Sequence, residues 1–151
     1  MKKAIVCAVL LAALAGAASA QTSVGVIAGE PTGVSVRQVL GSAASLDLAV
    51  AWSLVARGEN GAGGSLYFHV DYQQYFEQID VEAVQLLFFV GIGPKIYVSD
   101  VPVIGARVPV GIFYNFPELP LEAFLEIAPG LNLFPATEFD VMGAIGLRYQ
   151  L

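Results

Sequence analysis

The 151-residue chain is short of charge, of cations and of thiols, and each shortage removes a class of protein. Only 13% of its residues are charged, about half the share found in an ordinary water-facing domain. Seven Lys and Arg stand against 13 Asp and Glu, a net charge of −6, so no basic face exists to hold nucleic acid. The single cysteine, Cys7, lies in an apolar run near the N-terminus. The remainder therefore has no disulfide framework, no cysteine nucleophile and no thiolate metal site. His69 is the only histidine, which excludes a multi-histidine metal centre. The glycines between 58 and 64 lack the following lysine and helix of a phosphate-cradling loop. No cofactor is implied.

What is present is grease, glycine and proline: 56% hydrophobic residues, 16 Gly and 8 Pro. Such a chain is not disordered, and its length suits one domain. Met1, Lys2 and Lys3 open a basic start, Ala4 to Ala15 is uninterrupted apolar sequence, and Ala18-Ser19-Ala20 is a small-x-small exit. This reads as a cleaved export signal over 1–20, leaving 21–151 as the domain. The competing reading is an uncleaved anchor, but the run is marginal for a spanning helix, which needs about 20 apolar residues. Cys7 lies inside the run and not at its end, which disfavours a lipid anchor. Cleavage would take the charge from −6 to −8, with five cations left against 13 anions.

Beyond Gln21 the pattern is extended throughout. No segment offers about 20 apolar residues free of charge, glycine and proline, so no transmembrane helix is available. Turn-forming clusters at Glu30-Pro31-Thr32-Gly33, Gly41 to Ser45, Arg57 to Gly64, Glu77 to Glu82, Ser99-Asp100, Pro117 to Pro120 and Pro135 to Glu138 leave eight segments. Their expected spans are 22–29, 34–40, 45–56, 65–76, 85–98, 102–116, 121–133 and 139–151. Within them one face is wholly apolar, as in Leu121, Ala123, Leu125 and Ile127, or Val141, Gly143, Ile145 and Leu147. The opposite face is Gly, Ala and Ser with one or two charges per strand. That face is too poor in polar groups to coat a soluble barrel, but it suits the narrow lumen of eight strands. The expected fold is an all-β, eight-stranded antiparallel up-and-down transmembrane barrel, apolar outside, with a filled polar lumen. Two ordinary solvent faces are the alternative, since register is not readable from the pattern.

The inward phase collects four of the five remaining cations, Arg37, Lys95, Arg107 and Arg148, with Asp47, Asp71, Glu122, Glu126 and Asp140. Buried charges must pair, and neighbouring strands make Arg107, Glu122, Glu126 and Arg148 a natural ladder. Tyr72, Phe88, Tyr114, Phe116 and Tyr149 share the outward phase near the ends on the side of the termini, as an interfacial girdle would. Pro94, Pro109 and Pro129 interrupt three consecutive segments and are expected to form bulges beside Gly93, Gly111 and Gly130.

Catalytic arrangements are weak. His69 and Asp71 share a face, and Ser53 or Ser65 would complete a Ser-His-acid set. That face is the lumen, so the expectation is a histidine bonded to Asp71 or Tyr67 and no enzyme. Glu122 and Glu126, flanked by arginines, suit structure better than acid–base work.

The C-terminal Gly146-Leu147-Arg148-Tyr149-Gln150-Leu151 resembles the assembly signal of bacterial outer-membrane barrels, although it ends in leucine where phenylalanine is usual. The whole of 21–151 resembles an OmpA-type eight-stranded barrel. More narrowly, Gly29 to Gly33, Arg107 to Gly111 and Leu121 to Pro129 resemble small uncharacterised outer-membrane proteins of spirochaetes. The resemblance implies an outer-membrane location in a diderm bacterium, with membrane lipid and, through the last strand, the barrel-assembly machinery as partners. It assigns no reaction. Three roles follow: a structural or interaction barrel plugged by charges, which is favoured; a small channel; or a soluble lipocalin-like barrel for an apolar ligand.

Overall fold

The computed structural model describes residues 21–53, 65–81 and 84–151. The export signal expected over 1–20, the loop from 57 to 64 and the end of the third segment at 54–56 lie outside the described residues. Alternation of apolar residues with small or charged ones draws the chain into nine antiparallel strands. They are β1 (Thr22–Glu30), β2 (Thr32–Val39), β3 (Ala44–Ser53), β4 (Ser65–Val81), β5 (Val84–Val98), β6 (Val103–Arg107), β7 (Val110–Asn115), β8 (Leu121–Phe134) and β9 (Glu138–Gln150). Sequence neighbours pair, except β6 with β7, and β9 returns to pair with β1, so the sheet closes. β6 and β7 lie end to end between β5 and β8, which makes the ring eight positions around.

The slant of the ring follows from its registers. Gly25 pairs with Ser35, and the partners continue through Ala49, His69, Lys95, Gly105 and Asn132 to Glu138 on β9. Gly25 itself pairs with Arg148 on that strand. An offset of about ten residues over eight strands inclines them by about 40° and sets a radius of about 8 Å, a barrel that side chains can fill. The wall is uneven: β1 ends where Glu30 pairs with Gly143, while β9 extends to Glu138.

Three expectations need correction. The segment expected at 102–116 is two strands, because Val108-Pro109 leaves the ladder. The flanking pairs, Arg107 with Gly130 and Val110 with Ile127, nevertheless keep one register. Pro94 and Pro129 are not bulges: Pro94 pairs with Ala106 and Pro129 with Val141 without any slip. Their missing N–H groups instead open short gaps, as between the His69–Lys95 and Tyr72–Ile92 pairs of β4 and β5. The register shifts fall elsewhere, between Tyr75 and Gln78 and between Ile104 and Gly105. Finally, β4 runs on to Val81, past the break expected at 77, so Tyr72 sits within its strand and not at an end.

The polarity of the wall is inverted relative to a water-soluble barrel. Val26 (61% exposed), Ile92 (61%), Ile145 (60%) and Phe139 (67%) face out, whereas Arg37, Arg107 and Arg148 are at most 2% exposed. Outward aromatics also occur toward the other rim, at Trp52, Phe134 and Phe139, where the sequence reading placed none.

Candidate functional site

Inward-facing charges occupy the lumen in three groups. Near the termini, Arg37 from β2, Asp47 from β3, Glu122 from β8 and Arg148 from β9 form a closed square of alternating sign. Arg37 lies 3.2 Å from Asp47 and 2.8 Å from Glu122. Arg148 lies 2.7 Å from Asp47 and 2.8 Å from Glu122. The square is buttressed at its edges: Arg148 Nε donates to Ser35 Oγ at 2.7 Å, and Arg37 Nη2 to Gln73 Oε1 at 3.1 Å. Both guanidinium groups also rest on rings, Arg148 at 3.8 Å from the centre of Phe124 and Arg37 at 4.7 Å from that of Phe113.

At mid-height Arg107 is held between two carboxylates from opposite sides, Asp71 of β4 at 3.2 Å and Glu126 of β8 in direct contact. Its Nη1 donates to Tyr67 Oη at 3.2 Å and meets His69 Nδ1 at 3.1 Å. Arginine can only donate, so Nδ1 accepts and the imidazole proton sits on Nε2, which faces Asp71 Oδ2 at 3.5 Å. His69 thus meets Asp71, one of the two groups named in the sequence reading, and Arg107, while the ring of Tyr67, the other, packs edge-on against the imidazole at 5.5 Å between centres. The Ser53 hydroxyl donates to Glu30, so it is not turned toward a histidine base. The third group, nearer the far rim, is Lys95 with Asp140 at 2.5 Å.

Space for these side chains comes from glycines on the adjoining strands. A Cβ at Gly130 would stand 2.5 Å from Lys95 Nζ and 2.6 Å from Asp140 Oδ1, and one at Gly93 would stand 2.4 Å from Asp71 Oδ1. A cavity bounded by Ser35, Asp47, His69, Arg107, Glu126 and Arg148 leaves about 10 Å³, room for about one water molecule.

All nine residues singled out in the sequence point into the lumen, eight buried and Asp140 partly so. Arg107 meets Glu126 and Arg148 meets Glu122, as adjacent strands allow. The contacts of Asp47 with Arg148 and of Glu122 with Arg37 were not legible, because both reach across the seam between β1 and β9 and exist only once the ring closes. The aromatic shelf of Phe89, Phe113 and Phe124 was also missed. Its signal was the glycine opposite two of its rings, Gly111 facing Phe89 and Gly146 facing Phe124.

No family model and no curated protein sequence matches the chain. Among solved structures it is similar to the N-terminal β-barrel domain of Pseudomonas aeruginosa OprF, with a TM-score of 0.62 and 14% identity over 87% of this chain and 97% of that one. The likeness is one of fold: an OmpA-like barrel. No match bears on the narrower resemblance to spirochaete proteins.

Proposed function

We propose that the chain is an integral outer-membrane protein, exported by a leader over 1–20, with a structural or interaction role and a lumen plugged by its charge network. The observation that carries this reading is the inverted polarity of the wall. A soluble protein does not surround itself with large apolar side chains while burying four cations and their carboxylates. Hydrocarbon outside and paired charges inside satisfy both faces at once, and the closed ring leaves no backbone edge in lipid along its paired length.

The two outward aromatic groups support the same orientation. Phe139 and Tyr149 lie at opposite ends of β9, a separation of about 25 Å along the axis after the tilt is allowed for, which matches the apolar band of a membrane barrel. The lipocalin-like alternative needs an open apolar cavity, whereas paired charges and the Phe89, Phe113 and Phe124 rings fill this lumen. The channel alternative needs a continuous water path, and the cavity beside Arg107 has room for about one water.

The test is heat modifiability in an isolated outer-membrane fraction. Boiled and unboiled protein migrating differently in mild detergent, from material that sediments with the outer membrane, is the expected result. Soluble periplasmic protein with no shift would refute it.

A further inference from the structure

On the side of the termini the ring is not level. β4 and β5 run on together beyond their neighbours: Gln78 pairs with Leu87, Ile79 with Leu86, Asp80 with Gln85 and Val81 with Val84. β5 keeps its second partner as far as Leu86, which lies opposite Tyr114 of β7. β4 does not. β3 begins only at Ala44, opposite Gln74, and the last bond across that seam runs from the Tyr75 N–H to Ala43 O at 2.7 Å. From Phe76 to Val81, therefore, β4 has a strand on one side and, among the described residues, none on the other. The register shift between Tyr75 and Gln78 falls where β3 ends, and such a bulge bends the hairpin away from the line of the wall.

Two features define what completes this edge. The first is main-chain chemistry. In an antiparallel ladder alternate residues turn both N–H and C=O to the same neighbour, so about half of the residues in this stretch present theirs to an empty position. An extended backbone matches that spacing, and addition of a strand to a free sheet edge is a general mode of recognition. The stretch also stands clear of the apolar band. Phe76 packs on Phe88 at 6.1 Å between ring centres, at the level of the outward aromatics, and the strand continues roughly 10 Å past it. The second feature is charge. The stretch carries Glu77 and Asp80, Glu82 follows in the sequence, and Glu118 is exposed in the turn from β7 to β8 on the same side. Among the described residues every Lys and Arg lies in the lumen, so this rim is acidic without a cation of its own. Two copies meeting edge to edge would bring their acids into one ladder, where like charges repel. A strand bearing cations meets the same charges favourably. We infer that β4 from Phe76 to Val81 is a docking edge for an extended, cation-bearing segment of another protein, which joins the sheet as a further strand on the side of the termini.

The inference rests on the membrane reading only for setting the edge in water beyond the lipid, and the experiment separates the two. The refolded full chain in zwitterionic micelles is titrated with a short fluorescent peptide of alternating lysine and valine, and insertion into phosphatidylcholine vesicles is measured on the same preparation. A saturable rise in anisotropy is expected, with slower deuterium exchange of the backbone amides between 76 and 81. Methylating alternate amides of the peptide in one phase cuts binding about tenfold or more, and in the other phase leaves it unchanged, because an added strand bonds to the barrel along one edge only. The double variant Glu77→Gln with Asp80→Asn weakens binding about fivefold, the size of two exposed charge contacts, and a peptide of alternating glutamate and valine does not bind. Inserted protein that fails to bind, binds both methylated forms alike, loses nothing in the double variant, gains protection elsewhere, or dimerises through this edge overturns the docking edge and leaves the membrane reading standing. Protein that binds in the expected pattern but never enters vesicles upholds the docking edge and overturns the membrane reading.

Discussion

The ring of Phe124 occupies the space that a side chain at position 146 would need: its Cε1 and Cζ would lie 2.2 Å from a Cβ built on Gly146. The two residues are direct cross-strand partners on β8 and β9. The guanidinium of Arg148 lies 3.8 Å from the centre of the same ring, so the phenyl group joins the glycine to the charged square.

Gly146→Ala therefore overpacks the wall and lowers the unfolding free energy by about 1–3 kcal/mol, read from denaturant unfolding in detergent micelles. Phe124→Ala is destabilising by itself. Combined, the two changes cost less than their sum, because loss of the ring removes the clash and the added methyl group fills part of the space the ring leaves. Strict additivity would show that the contact of ring and glycine is not the source of the penalty.

Arg107 is the only cation touching either Asp71 or Glu126 among the described residues. Arg107→Met leaves two buried carboxylates facing one site, with an expected loss of about 3–5 kcal/mol. Adding Glu126→Gln and Asp71→Asn restores part of that loss. If the triple variant is no more stable than Arg107→Met, unpaired charge is not the cause.

The square near the termini behaves differently. Loss of either Arg148 or Arg37 leaves both Asp47 and Glu122 in contact with the remaining arginine. Each single change to Met is expected to cost less than Arg107→Met, about 1–3 kcal/mol. The double change strands both carboxylates and exceeds the sum of the singles. A double-mutant cycle in unfolding midpoints measures this coupling, and a zero or opposite sign refutes it.

Pro94, Pro109 and Pro129 remove donors from three successive seams at a similar height in the wall. Gly91 N–H reaches Pro109 O at 2.8 Å and Val108 N–H reaches Pro129 O at 2.9 Å, but neither proline has an N–H to complete the pair. Amides of this band should exchange with deuterium earlier than those of Leu48 and Val50, which lie in the unbroken β2–β3–β4 wall. Equal protection in both regions, measured in micelles, would count against a weak band.

Period-two alternation made the strands and their two faces legible, and scarcity of charge made the polarity of the wall legible with them. Arg107 and Glu126, or Arg148 and Glu122, were readable because adjacent strands bring them together. What the pattern could not supply was the offset between β1 and β9, on which every contact across the lumen depends. Asp47 meeting Arg148 is a property of closure and not of either strand. The interruption at Val108-Pro109 was foreshadowed by the proline, but the unbroken register on its two sides was not, since that depends on Gly130 and Ile127 of the neighbouring strand.

The early end of β1 gives the mouth of the barrel a profile. From Gly143, the partner of Glu30, β9 climbs five more residues to Glu138. With the slant allowed for, its tip stands roughly 10 Å above the turn at Pro31. Among the described residues the mouth is therefore a parapet that is lowest at the β1–β2 hairpin. Asp140 belongs to the stretch of β9 that overlooks it, and it is the one member of the nine lumen charges left partly open to the surroundings.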